Sequence, residues 1–548
     1  MVSSAPDGAT PLVINRPLPP NFVDFDAVKV VRRLTQFGYR AYLVGGGVRD
    51  FLLGATPKDF DVATDARPRE VKDVFRNCRL IGRRFRLAHI HFRGGKIIEV
   101  STFRRNPDMD GPPEPEPEPE AEPDMDEGEA PGIEHREDAV GGANGGGGGD
   151  GAGALAPALA ERAPRDLLIR EDNVFGTEEE DARRRDFTCN ALFYDLRRNA
   201  ILDYVGGVAD VERRVIRTIG DPNIRLAEDP VRILRAVRFG ARLGLQIEPR
   251  TFAAMKRVGP ELAKCAAPRL LEELLRILRS PHAADAWRLL EQCGALAVCF
   301  PEIAAYRERT GLAADVDEHV RLLGALDELQ ERAGGPLHDS VLLSVTMWPL
   351  VRRALEPVPA AVPGASTAAP APAAAAAQAG GAPERAAETW ADVGSGGWDV
   401  DVPGASGAVS VVVSLPAGSP RRDPGAVVMD LLRGPAVRLR MPHRLVGRAT
   451  QILLAQGKMT AGRRRRFRPE QLVRREFCGD AVNLLEMRAL ASGERPLVAL
   501  SAVEAWRQLL RNPGDPRLAR ELGSAVVVGD GRTGGAPGPG GGAAAGAS

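Results

Sequence analysis

Hydrophobic and polar positions follow two rhythms along this chain. From 22 to 105, and again from 166 to 220, short apolar runs alternate with glycine-rich turns. "VDFDAVKVVRRLTQFG" places its apolar residues at helical spacing and stops on Gly38, which predicts one helix. "AYLV", "FDVAT", "LAHIHF" and "IIEVSTF" are runs of strand length and predict strands. Residues 225–350 and 426–515 instead repeat the helical stripe, in "PVRILRAVRFGARLGL", "PRLLEELLRILRS", "AADAWRLLEQCGALAV" and "PEQLVRREFCGDAVNLLEMRAL". An α/β head followed by an all-α neck and body is the simplest architecture.

Three stretches offer almost nothing to bury. Residues 106–165 run from "EPEPEPE" into "GGGGGD", about 357–407 are Ala/Pro/Gly-rich, and the C-terminal residues read "GGAPGPGGGAAAGAS". All three are expected to be disordered. "AVSVVVSL", 408–415, is a lone strand-like run without an assigned role. The expected division is a head at 22–220 interrupted by 106–165, and a helical neck and body part at 221–356. A low-complexity insertion at 357–425, a helical RNA-binding body at 426–518 and a tail at 519–548 follow.

The formal net charge of zero hides an asymmetry. Residues 106–153 hold 15 acids and one base, which leaves 72 basic against 58 acidic residues elsewhere. A basic body suits a polyanionic partner, because clustered Lys and Arg displace counterions from phosphates; a merely solvated charged surface has the same composition. Six cysteines without CxxC spacing indicate neither a disulfide framework nor a zinc site. No apolar run reaches the roughly 18 residues needed to span a bilayer, so a cytoplasmic setting is expected.

Chemistry concentrates at four places. In "YLVGGGVRDFLLG" a strand-like run feeds Gly45, Gly46 and Gly47 and then a short helix. Such a turn brings backbone N–H groups close to a phosphate, and it equally serves as a tight turn, with Arg49 and Asp50 paired on the helix surface. Asp59 and Asp61 in "TPKDFDVAT" share one side of a strand, about 6.5–7 Å apart along it. Carboxylates so spaced can clamp two divalent ions about 3.5–4 Å apart, and magnesium commonly shares such ligands with substrate phosphates; an exposed acidic edge is the plainer reading of an isolated pair. Glu99 in "KIIEVSTF" is a third acid, set among apolar residues, which either faces a metal or cation or points outward from a half-exposed strand.

"RRRDFTCNALFYD" places Asp186 and Asn190 four apart on an expected helix, a pair suited to a ribose hydroxyl or, more plainly, an N-cap. In "LAEDPVRILRAVRFGARLG", Asp229 and Arg232 are three apart, with Arg235 and Arg238 continuing that side. An Asp acceptor beside an Arg donor matches a base edge with an exocyclic amine and a ring acceptor, and taken alone it reads more plainly as an Asp cap followed by a solvated arginine face. Adenine and cytosine both have that edge.

GGGVRD, DFD, RRDFTCNAL and EDPVRILRAVRF, in this order, resemble the motifs of the class II template-independent nucleotidyltransferases. These are the bacterial poly(A) polymerases and CCA-adding tRNA nucleotidyltransferases, with DNA polymerase beta-like heads built on a mixed sheet. The resemblance implies Asp59 and Asp61 as ligands of two Mg2+ ions and Glu99 as a further catalytic carboxylate. It implies Gly45, Gly46 and Arg49 at the triphosphate and primer end, and Arg185, Asp186 and Asn190 at ribose and phosphates. Asp229 and Arg232 would read the base, with Arg235 and Arg238 toward the triphosphate. "LIGRRFRLAHI", 80–90, resembles a signature of the poly(A)-adding branch, so ATP and RNA 3′ ends are the expected partners, with no membrane. CCA addition to tRNA, and an RNA-binding protein on an inactive scaffold, are the alternatives. "GRRRRFR", 462–468, is a further RNA-backbone contact or a plain basic loop.

Overall fold

The computed structural model describes residues 10–19, 22–57, 59–82, 86–105, 174–310, 318–356, 423–460, 468–492 and 496–524. The expected insertions and tail, "AVSVVVSL", Arg83–Phe85 of "LIGRRFRLAHI" and all but Arg468 of "GRRRRFR" lie outside them.

The head strands are β1 (Leu12–Asn15), β2 (Ala41–Val44), β3 (Asp61–Thr64), β4 (Cys78–Ile81), β5 (Leu87–His91), β6 (Ile97–Thr102), β7 (Leu192–Asp195) and β8 (Ala200–Asp203). They form one mixed sheet in the order β1-β8-β7-β2-β3-β6-β5-β4. Strands β3 and β6 run parallel and the other neighbours antiparallel. Helices α1 (Phe25–Gln36), α2 (Gly46–Leu52), α3 (Pro68–Val74), α4 (Glu178–Arg184) and α5 (Gly207–Glu212) accompany it.

Strand alternation sets what each face carries. Val62, Ala88, Ile90, Ile98 and Val100 point to one face, where they join Ala27, Val30 and Leu34 of α1 and Val71 and Val74 of α3 in the main core. On the opposite face, Tyr42, Val44, Ala63, Phe103 and Phe193 pack with Ala182 of α4. That covers the β2–β7 half and leaves the β3–β6–β5 half, with Asp61, Glu99 and His89, open. The predicted helix at α1 is present, capped by Asp24 and ended by Gly38 at φ +93°. The strands expected at "AYLV", "FDVAT", "LAHIHF" and "IIEVSTF" are β2, β3, β5 and β6, with β3 starting only at Asp61.

A short stitch closes the head beyond β6. Arg104 and Phe175 form an antiparallel bridge, and the Arg105 N–H donates to the Val174 carbonyl at 2.9 Å. Residues on either side of 106–173 are therefore neighbours.

Helices α6 (Pro222–Glu228), α7 (Val231–Leu243), α8 (Pro249–Val258), α9 (Ala267–Leu278), α10 (Ala283–Gln292), α11 (Ala295–Cys299) and α12 (Pro301–Thr310) follow the head. A parallel pair, β9 (Val215–Ile216) with β10 (Gln246–Ile247), ties the end of the head to the turn after α7. Next come α13 (Glu318–Ala333), α14 (Asp339–Leu355), α15 (Pro424–Arg438), α16 (His443–Thr460), α17 (Pro469–Val473), α18 (Cys478–Ala491), α19 (Pro496–Arg511) and α20 (Pro516–Ser524). Their apolar stripes pack α13 on α18, α14 on α16 and α18 on α19, with Trp287 and Trp506 fully buried. All six cysteines are free thiols. Among the described residues no helix is long and apolar enough to cross a membrane.

Candidate active site

The glycine turn and the two aspartates are packed against each other. Gly45 has φ +70°, a conformation side chains rarely adopt, and its N–H donates to the Leu192 carbonyl of β7. A Cβ there would stand 3.3 Å from the Arg185 guanidinium. At Gly47 a Cβ would meet the Phe60 ring at 3.2 Å and the Asp59 carbonyl at 3.4 Å. So this glycine lets the Asp59–Phe60 backbone lie on the start of α2, while Gly46 would meet no protein atom closer than 3.5 Å.

Asp59 and Asp61 are both exposed, with half-buried Phe60 and buried Val62 alternating against them. Glu99 sits beside Asp61 on the neighbouring strand, one residue before the Val62–Val100 register pair. It is open to solvent, and its carboxylate lies 3.6 Å from His89 Nε2 across the next strand pair. Solvent reaches one side of Asp61, yet its carboxyl is pushed up to about 6. The cause is first crowding by the surrounding protein, then repulsion from Glu99 and Asp59, opposed by Arg185. The proximity of these carboxylates suits a divalent cation, whose charge would relieve the repulsion. Among the described residues no three His, Cys, Asp or Glu side chains converge on a common metal position. A pair of carboxylates completed by waters and substrate phosphates is the donor set that magnesium accepts.

Behind the carboxylates runs a charged chain. Arg49, buried and not at the surface, donates through Nε (2.9 Å) and Nη2 (2.6 Å) to Asp50 and through Nη1 to Asn190 Oδ1 at 2.6 Å. The Asn190 amide donates to Asp186 Oδ1 at 3.0 Å, and Arg235 from α7 closes on Asp186 Oδ2 with Nη2 at 2.7 Å. Burial alone would raise the Asp186 carboxyl, but Arg235, Asn190 and the Phe187 N–H hold it down at about 2. Arg185 bonds to Asp181 and to the Asn190 carbonyl. Arg238 bonds to Glu273 of α9, and the Phe239 ring lies between the guanidiniums of Arg49, Arg235 and Arg238 at 5.1, 5.5 and 4.3 Å.

Two details differ from the sequence reading. Asp186 and Asn190 do meet, but on a 3-10 turn at Thr188–Asn190 instead of an α-helix. Thr188 donates its hydroxyl to Asp210 and its N–H to the Arg217 carbonyl. Arg49 and Asp50 do pair, inside the protein.

Asp229 lies between α6 and α7 at φ −147°, ψ 88°, and pairs with Arg269 of α9, Nη2 to Oδ2 at 2.8 Å. Arg232 is buried and donates to the Arg225 carbonyl at 2.6 Å and to Glu228 at 3.3 Å. The two are thus near in sequence but tethered separately. Sequence reasoning overlooked Arg225, Glu228, Arg269 and Glu273. Within "PRLLEELLRILRS" nothing local distinguishes Arg269 or Glu273 from an ordinary solvated helix face. Arg225 bolts neck to head, donating to the Arg184 and Arg185 carbonyls at 2.6 and 3.0 Å.

Comparison with known proteins agrees with this architecture. Residues 41–217 match the family model "Poly A polymerase head domain", and 244–307 match "Probable RNA and SrmB- binding site of polymerase A". The chain is 42% identical over 286 residues to poly(A) polymerase I of Escherichia coli, an alignment covering 52% of each protein. It is 31% identical over 289 residues to the CCA-adding enzyme of Geobacillus stearothermophilus, covering 53% of this chain and 57% of that protein. The alignments span about half the length of these curated relatives. The crystal structure of the Bacillus stearothermophilus CCA-adding enzyme in complex with CTP has the same fold, at TM-score 0.50, 21% identity and coverage of 92% and 91%. Residues 41–217 thus match the poly(A) polymerase head-domain family, and over about half of its length the chain is similar to bacterial poly(A) polymerases and CCA-adding enzymes.

Proposed function

We propose that this chain adds AMP from ATP to RNA 3′ ends without a template and releases pyrophosphate. The observation that carries the reading is that Asp61 and Glu99 stand side by side on the open half of the sheet, with Asp59 just ahead of β3 against the glycine turn. The 42% identity to a poly(A) polymerase, against 31% to a CCA-adding enzyme, supports AMP as the unit added.

Asp59 and Asp61 would hold two Mg2+ ions, which when bound would acidify the primer hydroxyl and neutralise the departing pyrophosphate. The chain's own contribution is positioning and charge compensation. Glu99 adds negative charge beside Asp61. Arg185, standing near Asp61 and the Gly45 turn, offers a guanidinium on the side from which a triphosphate enters. Asp186 and Asn190, fixed by Arg235 and Arg49, present a rigid acceptor–donor pair to a ribose. Asp229 and Arg232 present theirs to the base, and Arg235 and Arg238 supply positive charge toward the triphosphate.

The test uses the full chain, Mg2+, a generic oligoribonucleotide and a tRNA lacking its CCA end, each given ATP, CTP or both. A long ladder from ATP on the generic RNA, abolished by EDTA, is expected. Addition of three nucleotides that needs CTP and tRNA would establish CCA addition instead. RNA binding without nucleotide turnover would establish the inactive scaffold.

A further inference from the structure

We propose that the acidic run at residues 114–129 of this chain docks on the basic back face of the head, against α1 and α3. Nine of its sixteen residues are acids and none is a base. The back face lies opposite Asp61 and Glu99, because Val62 and Val100 point from the same strands toward α1 and α3. Arg32 and Arg33 of α1, Arg69 and Lys72 of α3, and Arg76 just after it are all exposed there. The two helices are joined, with Arg33 Nε donating to the Val74 carbonyl at 3.0 Å. Lys29, one turn before Arg33, pairs with Asp26. Of the acids on α3, Glu70 is turned back to accept the Arg67 N–H at 2.6 Å, and Asp73 remains. The face is therefore predominantly cationic.

The stitch sets where the acidic run starts. Arg67, the residue before α3, lays its guanidinium over the Phe175 ring at 5.4 Å, so α3 begins beside the two ends at Arg105 and Val174. On the other side of the stitch, α4 opens with four acids in its first turn, which repel an acidic chain. Residue 114 is nine residues past Arg105, hence at most about 30 Å away, and α3 is only about 10 Å long. The run can therefore lie along α3 and reach α1. Each exposed ion pair is worth little by itself. Many pairs act together here, and the tether holds the run at an effective concentration of about millimolar. Docking at the back leaves the carboxylate face open.

Carbodiimide coupling of the full chain tests this, because it joins a lysine amine to a carboxylate in contact with it, and the chain has seven lysines. Links from residues 114–129 to Lys29 or Lys72 are expected. Their yield should not depend on protein concentration and should be lost in about 0.5 M NaCl. A triple variant, Arg32→Gln with Arg69→Gln and Arg76→Gln, is expected to lower the yield about tenfold, the scale of three lost exposed pairs, at an unchanged melting temperature. The wild-type links carry the test alone should that variant not fold. No link at either lysine, equally frequent links to Lys256, Lys264 or Lys458, or a yield that climbs with concentration overturns the proposal. So does a wild type without links whose triple variant binds a labelled oligoribonucleotide more weakly, which would assign the face to RNA.

Discussion

Arg235 reaches from α7 to place its guanidinium 2.7 Å from the Asp186 carboxylate of the head, so one ion pair joins the neck to the head beside the Thr188–Asn190 turn. Asp186 is buried whereas Arg235 is about a third exposed. Loss of the cation would strand a buried carboxylate. Arg235→Ala is expected to destabilise the fold by about 2–3 kcal/mol, somewhat less than a fully enclosed pair. Urea denaturation at pH 7 measures it, and an unchanged midpoint would refute it.

The same pair gives a pH signature. A carboxyl held at about 2, below its ordinary value near 4, contributes stability above the ordinary value and loses it as pH falls toward 2. Melting temperatures of wild type and Arg235→Ala are therefore expected to converge between about pH 4 and pH 2.

Asp61 behaves in the opposite sense. Its carboxyl is pushed up to about 6, so the favourable protonated state is fully present below about 4 and lost as pH rises through 6. In EDTA, Asp61→Asn is expected to be more stable than wild type at pH 8 by about 1 kcal/mol, a figure reduced for its exposed side, and equal to it at pH 4. Mg2+ is expected to stabilise wild type and not this variant.

Asp59→Ala and Asp61→Ala are each expected to abolish AMP incorporation while leaving the circular dichroism spectrum unchanged. Normal incorporation by either variant would sink the catalytic assignment.

Gly45→Ala forces a methyl into a backbone conformation suited to glycine and within 3.3 Å of Arg185. A cost of about 1–3 kcal/mol and a fall in turnover are expected, because the displaced guanidinium borders the carboxylates. Gly46→Ala, with negative φ and its nearest neighbour atom at 3.5 Å, is the control and is expected to be nearly silent in stability.

Much of the fold was legible because its signals are local. The stripe of α1 ends on a glycine, and β2, β5 and β6 are apolar runs between turns. DFD showed its alternation of exposed acids and inward-facing apolar residues, but not that Asp59 would stand just before β3 rather than in it. The 3-10 turn at Thr188–Asn190 was not legible, since Thr188 there bonds to Asp210, 22 residues away. Nor was the burial of Arg49, which depends on Asn190, 141 residues on. Arg269 and Glu273 meet the site only because α9 folds back over α7, so no motif announces them.

The stitch between Arg104–Arg105 and Val174–Phe175 has a consequence for how this head can change over time. A detour whose two ends already touch costs the fold little by its length, because closure entropy grows only logarithmically, about 0.6 kcal/mol per doubling. The closed stitch thus makes the entropy cost of the head depend only weakly on the number of residues between its ends. A change in the number of residues between them is expected to move the melting temperature of the head little through closure alone.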